Sequence, residues 1–100
     1  MLGINVSFGD EVVQTTWEKG RIASPNDPNM WRKDECGAWI RRNEYGNRIS
    51  EYGWEIDHIS SEGGDNPSNL RPLQWMNSVT KREGRLKCPI IARGTKNVER

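Results

Sequence analysis

The sequence predicts a small α+β domain in which short antiparallel strands precede one helix. Three observations predict it. One hundred residues is a single-domain length. Residues 54–84 have the order strand, loop, strand, helix. The chain is only 33% hydrophobic and has five tryptophans, whose large side chains must supply much of the buried area.

The N-terminal half contains β-type segments separated by turns. Residues 12–17 are β-branched and aromatic, which favours a strand. Residues 24–29 hold two prolines and two asparagines, a composition typical of an irregular connection. Residues 36–41 predict another short strand, which ends before the turn at 43–47. We therefore predict that residues 1–53 form a β-rich extension packed on the core.

Residues 54–59 alternate apolar and polar side chains, which predicts a strand with one buried face. Trp54, Ile56 and His58 would share that face. An irregular loop is expected to follow, where Gly63 and Gly64 permit positive φ values.

A second strand is predicted at residues 70–75, and Pro72 confines it to a sheet edge. Asn77 or Ser78 is a suitable N-cap for a helix that would continue to residue 83. Gly84 would end that helix.

Charge is distributed unevenly along the chain. Residues 1–70 carry seven Lys/Arg against twelve Asp/Glu, whereas residues 71–100 carry eight against two. We expect 85–100 to be a basic tail with one extended segment at 89–92. Such an excess of positive charge suits a phosphate-facing surface, but a solvated tail has the same composition.

Cys36 and Cys88 are informative about the cellular compartment of the protein. Neither belongs to a C-x-x-C pair, which excludes a four-thiolate zinc knuckle. A disulfide between them stays open, although residues 1–5 lack the start of a secretion signal. No segment approaches the roughly 18 apolar residues that span a membrane. We therefore expect a cytoplasmic protein without a membrane partner.

An ordered set of motifs lies within residues 54–84. It consists of WEIDHI at 54–59, GGD at 63–65, NLRPL at 69–73 and WMNSVTK at 75–81. Together these motifs resemble the HNH endonucleases, and the similarity continues upstream through residues 31–46. The resemblance implies the ββα-metal fold, also called the His-Me finger. It also implies cleavage of phosphodiester bonds in DNA, with RNA not excluded.

The same resemblance assigns roles to individual residues. His58 would be the general base, since an imidazole can accept a proton near neutral pH. Asp57 would bind one divalent ion, which neutralises charge on the leaving oxygen. Mg²⁺ is the expected ion, with Mn²⁺, Ni²⁺ and Zn²⁺ as alternatives. Asn69 matches the middle asparagine of the family, which braces the loop and orients the histidine.

The second metal-ligand position departs from the family pattern. Family members place His or Asn three residues before the helix lysine, where this chain has Ser78, preceded by Asn77. Three outcomes stay open. Ser78 binds the ion weakly or through water, Asn77 takes its place, or catalysis is weakened and the chain is a nucleic-acid-binding module.

Four basic residues are expected to contact DNA: Arg71, Lys81, Arg82 and Arg85. Gln74 and Asn77 stand where zinc-stapled relatives carry cysteines. Packing around three tryptophans is therefore expected to supply the rigidity: Trp39, Trp54 and Trp75. The sequence leaves open the oligomeric state and whether the chain acts within a larger phage or restriction system.

Overall fold

The chain folds as three local antiparallel hairpins with two short helices, in a computed structural model that describes residues 8–100. In order, the elements are α1 (Asp10–Trp17), β1 (Trp31–Lys33), β2 (Trp39–Arg41), β3 (Trp54–His58), β4 (Leu70–Gln74), α2 (Trp75–Val79), β5 (Ile90–Arg93) and β6 (Lys96–Glu99). The predicted α+β class is confirmed. Neither helix of the described part is long and apolar enough to cross a membrane. Residues 1–5, considered above for a secretion signal, lie outside the described range.

The strand predicted at 12–17 is wrong, because this segment is the helix α1. Val13, Thr16 and Trp17 are spaced by three and four residues and bury one face of that helix. Asp10 and Glu11 lie in its first turn, where negative charge favours the helix dipole. Helical burial thus outweighs the β-propensity of the individual residues.

Tryptophans form the centre of the core, as the composition predicts. Trp17 and Trp54 are fully buried, and their rings lie 5.3 Å apart. Val13 and Ile40 complete this cluster. Because the cluster joins α1, β2 and β3, it fixes the N-terminal extension against the hairpin that follows.

The hairpin of β3 and β4 confirms the strand predicted from alternation at 54–59 and the second strand predicted at 70–75, each of which ends one residue earlier than expected. Its antiparallel register pairs Trp54 with Gln74 and Asp57 with Arg71. β4 pairs with β3 alone, so Pro72 lies in an edge strand as expected. The predicted burial is only partly right, because Asp57, on the face expected to be exposed, is buried.

The predicted start and end of the second helix are wrong. α2 begins at Trp75 because Gln74 is its N-cap, with Oε1 accepting hydrogen bonds from the amides of Met76 and Asn77 at 2.7 and 3.2 Å. It ends at Val79, so Lys81 lies beyond the helix.

The segment after α2 is held to the rest of the chain rather than free. β5 and β6 form a hairpin, which includes the extended segment predicted at 89–92. Cys36 and Cys88 form a disulfide across a separation of 52 residues. This covalent link adds to the tryptophan packing, which was expected to supply rigidity by itself.

A buried carboxylate joins the same segments. Asp34 accepts hydrogen bonds from the amides of Cys36, Ala38 and Gln74 at 2.8–2.9 Å and from Asn77 Nδ2 at 3.1 Å. Burial raises the pKa of Asp34, and these four hydrogen bonds oppose that shift. Asp34 therefore ties the turn after β1 to the start of α2.

Candidate active site

One open cavity of about 360 Å³ lies at the end of the β3–β4 hairpin. Asp57, His58 and Lys81 line it, together with Ile56, Ser61, Gly64 and Gly84. β3 contributes the first two side chains, and the segment after α2 contributes the lysine. The cavity therefore brings together a carboxylate, an imidazole and an ammonium group.

His58, the only histidine of the chain, is bonded on one ring nitrogen. Its Nε2 lies 2.7 Å from Asp65 Oδ1. The imidazole is 38% exposed and the carboxylate 64% exposed. Nδ1 has no hydrogen-bond partner among residues 8–100, so it is the nitrogen left to accept a proton.

Asp57 is bonded to two cations. Its Oδ2 accepts a hydrogen bond from Arg71 Nε at 2.8 Å, and its Oδ1 accepts one from Lys81 Nζ at 2.7 Å. The exposed fractions of these side chains are 7% for Asp57, 12% for Arg71 and 19% for Lys81. Both cations were expected to contact DNA, and in the structure both are bonded to this carboxylate.

Asn69 holds the loop between β3 and β4. Its Oδ1 accepts a hydrogen bond from the amide of Ser60 at 2.8 Å, while Nδ2 donates to the carbonyls of Ser60 and Gly64, each at 2.9 Å. A Cβ on Gly63 would lie 2.5 Å from Asn69 Cγ, so the loop needs a glycine there. Gly64 has the expected positive φ, at 60°, and Gly63 does not.

Asn77 does not reach the cavity. The side chain is fully buried; Nδ2 donates to Asp34 Oδ2 and to the carbonyl of Ile90, and Oδ1 accepts from the amide of Ile90. All of its polar atoms are thus used in the core, which contradicts Asn77 as a metal ligand. Ser78 is half-buried in α2 and is not part of the cavity lining.

Arg82 and Arg85 flank a tight turn at the cavity rim. Their backbones pair with each other, and Glu83 and Gly84 between them have positive φ values of 52° and 78°. Both arginines are exposed, and neither forms an ion pair with any residue in the range 8–100. Of the four basic residues expected to contact DNA, these two present their charge to solvent.

Comparisons with protein-family models, curated proteins and solved structures found no match to this chain. The HNH resemblance therefore rests on the motifs between residues 54 and 84.

The described residues do not offer a divalent ion a ligand set. No three His, Cys, Asp or Glu side chains among them are arranged to hold one. Of the expected ligands, Asp57 has a cation on each oxygen and Asn77 is bonded elsewhere. Mg²⁺ is usually held by one or two carboxylates together with waters and phosphate oxygens, and both oxygens of the expected carboxylate already bond a cation.

The sequence did not assign a role to Asp65, and it assigned a different one to Lys81. Asp65 lies in the GGD motif, and its position seven residues after His58 was the one available signal for it. Lys81 was expected to contact DNA, whereas its bond to Asp57 joins residues 24 positions apart. Such a contact depends on how α2 packs against β3, which residue patterns do not encode.

Proposed function

We propose that this chain is an HNH-type endonuclease that hydrolyses phosphodiester bonds in DNA. The observation that carries the proposal is Nδ1 of His58, which has no hydrogen-bond partner among residues 8–100, beside Asp57 and Lys81 in one open cavity. An imidazole with one nitrogen bonded to a carboxylate and the other free suits a general base.

In the proposed reaction, a water oxygen forms a bond to phosphorus while His58 Nδ1 takes the water's proton. The bond from phosphorus to the leaving oxygen breaks, and that oxygen takes a proton from solvent. His58 then returns its proton to solvent. Negative charge that gathers on the phosphoryl oxygens is stabilised by nearby cationic side chains.

Arg82 and Arg85 are proposed to contact the DNA backbone. Both are exposed at the cavity rim. Cations of this kind bind phosphates without reading sequence, and the affinity falls as salt rises. This assignment favours an enzyme with weak sequence preference.

The divalent ion stays a prediction from the HNH resemblance. None of the steps of the proposed hydrolysis uses a divalent ion, because both oxygens of Asp57 are bonded to cations. The ββα-metal fold likewise stays a proposal, supported by the order of β3, β4 and α2.

A nucleic-acid-binding module without catalysis is the second candidate. The ion pairs of Asp57 favour it for a reaction that requires the metal, since a carboxylate held by Arg71 and Lys81 is not available to a metal. This candidate keeps the DNA contacts of Arg82 and Arg85 and lacks the hydrolytic step.

A plasmid-nicking assay tests the proposal. Wild-type protein and His58→Ala, purified in parallel, are incubated with supercoiled DNA in Mg²⁺ and in EDTA, with a matched RNA arm. Loss of a general base is expected to lower the nicking rate by roughly 10² to 10⁴. DNA binding without nicking in every arm favours the second candidate, and equal nicking by both proteins overturns the proposal.

The cytoplasmic location also stays a proposal, and the disulfide gives its test. Disulfides persist mainly in oxidising compartments. In the cytoplasm, Cys36 and Cys88 are expected to be reduced, so alkylation during lysis should label both thiols. Unlabelled protein from intact cells would contradict a cytoplasmic location.

A further inference from the structure

Lys81 occupies a cation position in the cavity. Its Nζ donates to Asp57 Oδ1 at 2.7 Å and to the carbonyl oxygen of His58 at 2.9 Å. A carboxylate and a backbone carbonyl are also the hard oxygen ligands that divalent ions prefer. The ammonium group is thus bound where an ion at Asp57 would lie.

Charge and burial both favour the Lys81 ammonium over a divalent ion at Asp57. Asp57, Arg71 and Lys81 are largely removed from solvent, so their ion pairs are weakly screened. A divalent ion that bonded Oδ1 would have to displace the ammonium and would then lie beside it. Breaking a buried ion pair and bringing like charges together both oppose that exchange.

Lys81 has one donor left for an anion. In the cavity lining its ammonium is paired with the carboxylate of Asp57, while Arg71, which bonds both Asp57 and Glu35, lies outside that lining. An ammonium has three N–H donors, and Lys81 uses two of them in the contacts above. The third is available to a phosphate oxygen.

We propose that Lys81 is the resident cation of this site, so that the cavity binds a phosphodiester without retaining a divalent ion. The inference rests on the proposed function for the identity of its ligand. Its central claim, exclusion of divalent ions from Asp57, stands on the contacts of Lys81 alone.

Paramagnetic broadening by Mn²⁺ tests the claim without relying on activity. His58 is the only histidine, so its ring signals in NMR spectra report on an ion at the neighbouring Asp57. Wild-type protein is expected to show broadening only at nonspecific, millimolar Mn²⁺. Lys81→Met removes the charge while keeping an unbranched side chain, and should lower the half-broadening concentration at least tenfold.

Lys96→Met is the matched control, because Lys96 is exposed on β6, outside the cavity. It should behave like wild type. Equal Mn²⁺ sensitivity of wild type and Lys81→Met overturns the proposal. Wild-type broadening at micromolar Mn²⁺ overturns it as well, even where Lys81→Met fails to fold.

DNA binding and cleavage separate this inference from the proposed function. Fluorescence anisotropy with a labelled oligonucleotide in EDTA should show binding by wild type that Lys81→Met weakens. Nicking that requires Mg²⁺ would support the endonuclease and overturn the role of Lys81. Mn²⁺ exclusion together with no nicking in any arm would support Lys81 as resident cation and contradict the endonuclease.

Discussion

The Asp65 carboxylate holds the His58 imidazole by a 2.7 Å hydrogen bond to Nε2. An ionised carboxylate can only accept, so the neutral ring carries its hydrogen on Nε2 and keeps a lone pair on Nδ1. The pair therefore selects the tautomer of a neutral His58, and under the proposed function Asp65 would be a positioning residue.

Replacing Asp65 by Ala is expected to lower the nicking rate by at least about tenfold, short of the loss in His58→Ala. Histidine ¹⁵N chemical shifts give a second readout, because they distinguish the two neutral tautomers. Wild type should show hydrogen on Nε2, and the variant should show a mixture. Identical tautomer ratios in both proteins would contradict this role.

Gly63→Ala is expected to disrupt the loop between β3 and β4. The new Cβ would lie 2.5 Å from Asn69 Cγ, which forces Asn69 away from Ser60 and Gly64. Such overpacking should lower the unfolding free energy by about 2 kcal/mol and reduce nicking. Gly9→Ala is the control, since no atom of residues 8–100 outside its immediate chain neighbours lies within 4 Å of its added Cβ. Equal stability of the two variants in urea would refute the argument.

Asp34 is expected to give an unusual pH dependence of stability. Burial raises the pKa of Asp34 above its ordinary 3.8, so the unfolded chain loses this proton at lower pH than the folded chain does. The contribution of Asp34 to stability is therefore full below the ordinary pKa and is lost as pH rises through the folded-state pKa.

Urea unfolding of wild type and Asp34→Asn across a pH series isolates that contribution. The unfolding free energy of wild type minus that of the variant should fall as pH rises above about 4. Subtracting the two unfolding free energies cancels the contributions of the carboxylates that both proteins share. A difference that rises with pH would show that the hydrogen bonds to Asp34 outweigh its burial.

The disulfide is expected to stabilise the fold by constraining the unfolded chain. A link across 52 residues corresponds to about 4 kcal/mol of loop-closure entropy. The double variant Cys36→Ser/Cys88→Ser should therefore unfold at lower urea concentration than oxidised wild type. Reduced wild type is the control and should match the variant. Unfolding of oxidised wild type at the same urea concentration as the double variant would contradict this stabilisation.

Short-range patterns in the sequence predicted much of the hairpin that carries the site. Alternation predicted β3, and Pro72 marked β4 as an edge strand. The motif resemblance expected Asn69 to brace the loop, as its bonds to Ser60 and Gly64 do, while the role of His58 as general base stays a prediction. These predictions concern residues whose neighbours in space are also near in the chain.

The sequence by itself determined the α+β class, the β3–β4 hairpin and the order of its motifs, because backbone geometry repeats at fixed spacings in strands and turns. The tertiary structure decided that 12–17 is a helix, since burial of one face outweighed β-propensity. It also decided that Asn77 serves Asp34 and that Lys81 serves Asp57. Those hydrogen bonds join residues that are 43 and 24 positions apart in the chain. They form only when separate elements pack together and exclude water from the charged groups.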